Sequence, residues 1–353
     1  MVKSTKGRSF IWLLLLPVTL EAGDLSFSRH RVASLAEEHI AGFDISRRVL
    51  VTWGDRFARR LLPGGKVIWS GLHRPGGFRE GGCLTDIDAD GEDDIVLNER
   101  ESGDLVWLSA PDWRAHVIDR RVHADDIGPV TLFDRRGILL IHKHAQVRFY
   151  EIPQDLSQPW PYRDIYSVYT PSWQGGLAIA DINRDGRPDI FCGNYWIRAP
   201  ASFELPWRLF AINTWTEAEK SGMMRLSYRG GRLVAAQRSI DPARLAMFLQ
   251  PAAPEQLWEE HRLANVKLTR LNSLDSADFD GDGMPDLLVA EDGGEGRVIL
   301  LRARNGREYA LSVIQSGRPV PHARAIDLNG DGRPDILLIG RNSIDWLENL
   351  PPR

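Results

Sequence analysis

Asp278-Phe279-Asp280-Gly281-Asp282-Gly283-Met284-Pro285-Asp286-Leu287-Leu288-Val289 sets carboxylates at positions 1, 3, 5 and 9 of a turn, glycine at position 6 and an apolar run behind it. The same arrangement stands at Asp86-Ile87-Asp88-Ala89-Asp90-Gly91, at Asp181-Ile182-Asn183-Arg184-Asp185-Gly186 and at Asp327-Leu328-Asn329-Gly330-Asp331-Gly332. The first aspartates lie 95, 97 and 49 residues apart, so one period near 48 fits all four if two further copies have lost the acidic loop. The period places those copies near residues 134 and 230. There the chain reads Val130-Thr131-Leu132-Phe133-Asp134 before Gly137-Ile138-Leu139, and Leu226-Ser227-Tyr228 before Leu233-Val234. Each resembles two strands joined by a short turn. A further copy stands at Ile40-Ala41-Gly42-Phe43-Asp44, followed by Val49-Leu50-Val51.

Third and fourth strands recur behind each turn. Examples are Val106-Trp107-Leu108 with Trp113 to Ile118, Tyr195-Trp196-Ile197 with Trp207 to Phe210, and Ile299-Leu300-Leu301 with Tyr309 to Ile314. Short strands at a fixed period of 40 to 50 residues indicate a propeller, and the chain is long enough for about seven units. The expected fold is therefore all-β, a seven-bladed β-propeller of four-stranded repeats. The last unit ends too close to Arg353 to hold its own fourth strand, and Leu25 to Val32 resembles the fourth strands elsewhere. The N-terminal strand is expected to complete that blade and close the ring, which removes two sheet edges open to aggregation.

A hard cation such as calcium takes six to eight oxygen ligands, and alternating carboxylates on a curled loop supply them. The candidate ligands are Asp86, Asp88, Asp90 and Asp94; Asp181, Asn183, Asp185 and Asp189; Asp278, Asp280, Asp282 and Asp286; and Asp327, Asn329, Asp331 and Asp335. The carbonyls of Glu92, Arg187, Met284 and Arg333 complete the sets. An EF-hand needs a glutamate at position 12, where Leu97, Cys192, Val289 and Leu338 stand instead. The alternative is a set of plain Asp/Gly turns held by local hydrogen bonds. Four copies with three or four acidic groups each weigh towards calcium, about four ions, because such groups repel without a cation.

On these motifs the chain resembles the FG-GAP or VCBS repeat family. The resemblance implies a propeller with calcium between the first and second strands of a blade. The units near 44, 134 and 230 depart from the motif and should hold no metal.

Lys3, Lys6 and Arg8 precede an apolar run from Phe10 to Leu20, with Ala22 at a plausible cleavage point. Residues 1–22 read as a signal peptide and 23–353 as one propeller domain, exported to the periplasm or secreted, without an integral membrane span. Removing Lys3, Lys6, Arg8 and Glu21 takes the formal charge from -4 to about -6. No basic cluster interleaved with aromatics suggests a nucleic acid. Cys83 and Cys192 sit in apolar runs and are expected to be buried thiols.

Loops between the first and second strands open on one face of a propeller, and loops after the second strands open on the other. The second face would gather Glu99, Arg100, His142, His144, Asn194, Tyr195, Arg238, Glu291, Asp292 and Arg341, with His322 at the start of an inner strand. Such a rim suits a glycan or protein ligand. A binding module is the leading reading. A secreted carbohydrate-active lyase or hydrolase would need acid/base groups among Glu99, His142, Glu291 and His322. A structural part of a cell-surface complex is the third reading. The sequence holds no nucleophile motif, cofactor fingerprint or P-loop, so no catalytic residue is assigned.

Overall fold

The computed structural model describes residues 19–22, 24–34, 39–46, 49–55, 58–61, 67–71, 76–144, 146–168, 175–215, 224–238 and 240–351. Every regular element among them is a strand, and all pairing is antiparallel. Six four-stranded sheets span 40–71, 78–119, 124–167, 177–211, 224–262 and 271–315. These are the blades of a β-propeller. The expectation of seven four-stranded blades is corrected to six, because the remaining sheet has five strands. It joins His322–Ile326, Asp335–Ile339 and Ser343–Asn349 to Leu25–Ser34, and Thr19–Ala22 lies along the outer edge of Leu25–Ser34. Thr19–Ala22 belongs to the segment read as a leader, whose residues 1–18 lie outside the described residues.

Burial follows from stacking sheets face to face. The second strand of a sheet is covered on both sides, so Asp286–Glu291 and Asp335–Ile339 are buried at every position. First strands face the central channel with one side and are only partly covered, as in Ile40–Ser46 and His322–Ile326. Apolar clusters fill the space between neighbouring sheets. Val51, Trp53, Ile95 and Leu97 join the first pair, and Phe27, Leu288, Leu300 and Leu347 pack the 271–315 sheet on the five-stranded sheet. Both cysteines are free and buried, as expected, and burial pushes the Cys192 thiol up to about 12. No helix among the described residues is long and apolar enough to cross a membrane.

Carboxylates on the first strands tie one sheet to the next. The N–H of Leu84 donates to Asp44 Oδ2 at 2.9 Å, that of Gly176 to Asp126 Oδ2 at 2.7 Å, and that of Ala325 to Asp275 Oδ2 at 2.9 Å. These bonds keep the inner strands, and whatever they carry, in fixed relation around the channel.

Candidate functional site

The four acidic loops share one geometry. Position 6 has φ of 93, 83, 83 and 86° at Gly91, Gly186, Gly283 and Gly332, a left-handed conformation that costs glycine nothing. Its N–H donates to the position-1 carboxylate, as from Gly283 to Asp278 Oδ2 at 2.9 Å and from Gly91 to Asp86 Oδ2 at 3.0 Å. The position-9 aspartate is fully buried in each loop and accepts two backbone N–H groups. For Asp286 the donors are Phe279 at 3.0 Å and Ala303 at 2.8 Å; for Asp94 they are Ile87 at 2.9 Å and Ala110 at 2.8 Å. Asp189 and Asp335 repeat the pattern. Burial raises all four carboxyls, to about 6 for Asp94, Asp189 and Asp286.

Two loops fit a hard cation as they stand. Oxygens of Asp86, Asp88 and Asp94 lie within 4.8 Å of one another, and so do those of Asp278, Asp280 and Asp286. Asp86 Oδ1 is buried without a hydrogen-bond donor, which suits an atom that ligates a metal. In the other two loops position 3 is an amide. Asn183 Nδ2 donates to Asp185 Oδ2 at 2.8 Å and Asn329 Nδ2 to Asp331 Oδ2 at 3.0 Å, and Arg187 and Arg333 pair with the same carboxylates.

At the opposite end of the channel, where second strands turn into third strands, a cavity of about 330 Å³ opens. Of the eleven rim residues named from sequence, it brings together Arg100, Arg238, Asp292, His322 and Arg341. They come from four sheets. Arg341 Nη2 lies 2.8 Å from Asp292 Oδ1 and its Nη1 lies 2.8 Å from His39 Nε2. Arg100 Nη1 lies 2.9 Å from Asp55 Oδ1. Burial draws Arg238 down to about 10. His322 is pulled down to about 3 by burial, with Arg225 and Arg238 adding to the effect, so its imidazole is neutral at physiological pH. Its Nε2 then donates to the carbonyl of Ala41 at 3.2 Å.

The remaining rim residues do not line this cavity. Glu291 is fully buried; burial alone would raise it, but Arg297, 2.8 Å away, and the N–H groups of Thr269 and Arg297 hold it low. Asn194 accepts from Asn213 Nδ2 at 2.9 Å inside its own sheet, and Tyr195 belongs to an apolar cluster. His142 ends a strand, buried, with Nδ1 unpartnered, while His144 sits in the following turn at φ 62°. The two histidines therefore do not continue one strand face. Glu99 accepts from Ser102 Oγ at 2.7 Å in a turn of its own sheet.

Four residues not named from sequence, Glu80, Asp126, Arg225 and Asn272, line the inner cavity beneath it, and Glu80 and Asn272 line both. Arg225 pairs with Glu80 and lies 2.8 Å from Asp126 Oδ1, and Arg238 pairs with the same Glu80. Three of the four stand at irregularities of their strands. Pairing slips between Phe78 and Gly82, between Ala124 and Ile127 and between Leu271 and Ser273. A bulge of this kind re-aims a side chain that regular alternation would send elsewhere. Trp53 Nε1 pins the first of them by donating to the carbonyls of Arg79 at 3.0 Å and Glu80 at 3.1 Å. The only sequence signal was a charge or amide inside a first strand.

Residues 278–338 match the family model of the FG-GAP-like repeat. No curated protein matches the chain. Among solved structures it is similar to BBS1N in complex with ARL6DN, a mercury-soaked crystal, at 10% identity over 95% of this chain and 97% of that one, TM-score 0.58. It is also similar to YCF48 from Cyanidioschyzon merolae, at 9% identity over 91% and 98% with TM-score 0.58. The computationally designed Ika8 protein gives 8% identity over 91% and 99%, TM-score 0.52. At such identities the likeness concerns the fold alone.

Proposed function

We propose that this β-propeller, which carries an FG-GAP-like repeat, is an exported binding module that takes its ligand at the channel mouth opposite the acidic loops. One observation carries the reading: Arg100, Arg238, Asp292, His322 and Arg341 converge from four sheets on one cavity. Binding is favoured over catalysis because the candidate acid/base groups do not meet there. Of Glu99, His142, Glu291 and His322, only His322 lines the cavity, and it stays neutral well below physiological pH.

The acidic loops would hold calcium and stiffen the scaffold, away from the ligand. The five-stranded sheet would be a seventh blade that closes the ring. That reading is supported by the pairing of Leu25–Ser34 with Ser343–Asn349, by Arg29 Nη2 at 2.9 Å from Asp345 Oδ2, and by Ala33 and Ile344 packed with Ile40 and Leu50 of the 40–71 sheet.

The test is capture on glycan and peptide arrays in calcium buffer, repeated with Arg100→Glu combined with Arg341→Glu. Both side chains are well exposed, so the fold should survive. A ligand lost in the double variant supports the mouth. A ligand bound equally well by the double variant places the site elsewhere.

A further inference from the structure

The chemistry of the mouth narrows what it takes, provided that the mouth is the binding site proposed above. Its lining carries the guanidinium groups of Arg79, Arg100, Arg238 and Arg341 against the carboxylates of Glu80 and Asp292. A guanidinium has five N–H donors. Arg100 directs Nη1 to Asp55 and Nη2 to the carbonyl of Phe78 at 2.9 Å; Arg341 directs Nη1 to His39 and Nη2 to Asp292. Further donors of both remain for a ligand oxygen, and both side chains stand about half exposed at the rim, at 42% and 50%. His39 joins the two, since its Nδ1 lies 3.8 Å from Asp55 Oδ1.

Two further features separate one anion class from others. Among the described residues the lining holds no Trp, Tyr or Phe ring on which a nucleobase would stack. At the floor, Asn272 is 6% exposed, lines both this cavity and the inner one of about 210 Å³, and leaves its Oδ1 without a donor. A buried acceptor of that kind is satisfied by an O–H or N–H brought in by a ligand. A volume of about 330 Å³ is at the low end for ligand pockets and suits one or two rings.

We infer that the mouth binds a uronate residue of an acidic oligosaccharide. The sugar carboxylate faces Arg100 and Arg341, the charge-assisted fork that guanidinium groups form best. A ring hydroxyl donates to Asn272 Oδ1. One pyranose ring carries both groups, whereas a simple anion such as sulfate satisfies the arginines and leaves the amide unpaired.

The test is calorimetric titration of the full chain in calcium buffer with digalacturonate, its neutral counterpart galactobiose, an acidic tripeptide and sodium sulfate. Digalacturonate is expected to bind, galactobiose at least about tenfold more weakly, and higher salt should weaken the acid alone. Arg100→Gln and Arg341→Gln are each expected to cost about tenfold with little change in melting temperature. Asn272→Asp, nearly isosteric and negative, should abolish binding while circular dichroism stays that of the folded chain. Equal affinity for galactobiose, tighter binding of the tripeptide or sulfate, or no heat with digalacturonate overturns the uronate assignment. Failure of the underlying reading looks different: a ligand captured on the arrays would bind undiminished after charge reversal at Arg100 and Arg341.

Discussion

Arg225 Nη1 lies 2.8 Å from Asp126 Oδ1 although 99 residues separate them in the chain. The two strands belong to sheets with another sheet between them, so the guanidinium crosses part of the channel, where it also meets Glu80. Its Nε donates to the carbonyl of Asn272 at 3.1 Å, so four sheets are tied at one group. Asp126 and Glu80 are largely shielded from water, at 10% and 14% exposure. Removing the cation alone leaves Asp126 without its guanidinium, while Glu80 keeps its pairing with Arg238. Arg225→Met is expected to cost about 2–4 kcal/mol in urea denaturation, and adding Asp126→Asn should recover at least half of the loss. An unchanged midpoint for the single variant would show that the cluster contributes nothing to stability.

The position-9 aspartates have a role apart from any metal. Both oxygens of Asp286 accept backbone N–H groups, from Phe279 and Ala303, and so fasten the turn to the end of the third strand. Asp286→Asn replaces one acceptor by a donor that faces an N–H. The expected loss is about 1–3 kcal/mol, and it should persist in chelator. Asp280→Asn, whose side chain takes no part in those two bonds, should lose stability only when calcium is present. If both variants behave like wild type in chelator, the clamp is not structural.

The repeat was legible because its chemistry is local. Asp-x-Asp-x-Asp-Gly turns announce themselves at Asp86 and Asp278, and the decayed turns near Asp134 and Gly230 follow from spacing; strands Ala124–Leu132 with Arg135–His142 and Met224–Arg229 with Arg232–Gln237 lie there. Arg100, Arg238 and Arg341 were legible for the same reason, as residues just after a second strand. Glu80, Asp126 and Asn272 were not. Their direction depends on strand irregularities, and a one-residue slip reverses the face that alternation assigns. The burial of Glu291 was equally hidden, since its partner Arg297 is close in sequence but is aimed by the turn between them.

Calcium should stabilise the chain by mass action on the folded state. At a hundredfold excess over the dissociation constant one site contributes about 2.7 kcal/mol. Affinity rises with ligand charge, so the loops of Asp86 and Asp278, with carboxylates at position 3, are expected to fill before those of Asn183 and Asn329. Titration of chelator-treated protein should show two tighter ions, and Asp88→Ala combined with Asp280→Ala should remove them. A melting temperature indifferent to chelation would refute calcium in these loops.

His322 makes stability sensitive to acid. Burial, with the charges of Arg225, Arg238 and His39 near it, lowers its pKa from 6.5 to about 3, so folding favours the neutral ring. The unfolded chain takes up a proton as pH falls below about 6.5 while the folded chain does not, so this contribution is complete above that value and is lost as pH falls towards 3. Between pH 6.5 and pH 4 the loss amounts to about 3 kcal/mol at about 1.4 kcal/mol per unit. His322→Gln keeps a side-chain N–H for the carbonyl of Ala41 but does not titrate. Its denaturation free energy should fall less steeply than that of wild type over the same window, whereas parallel slopes would mean that His322 is already charged in the folded protein.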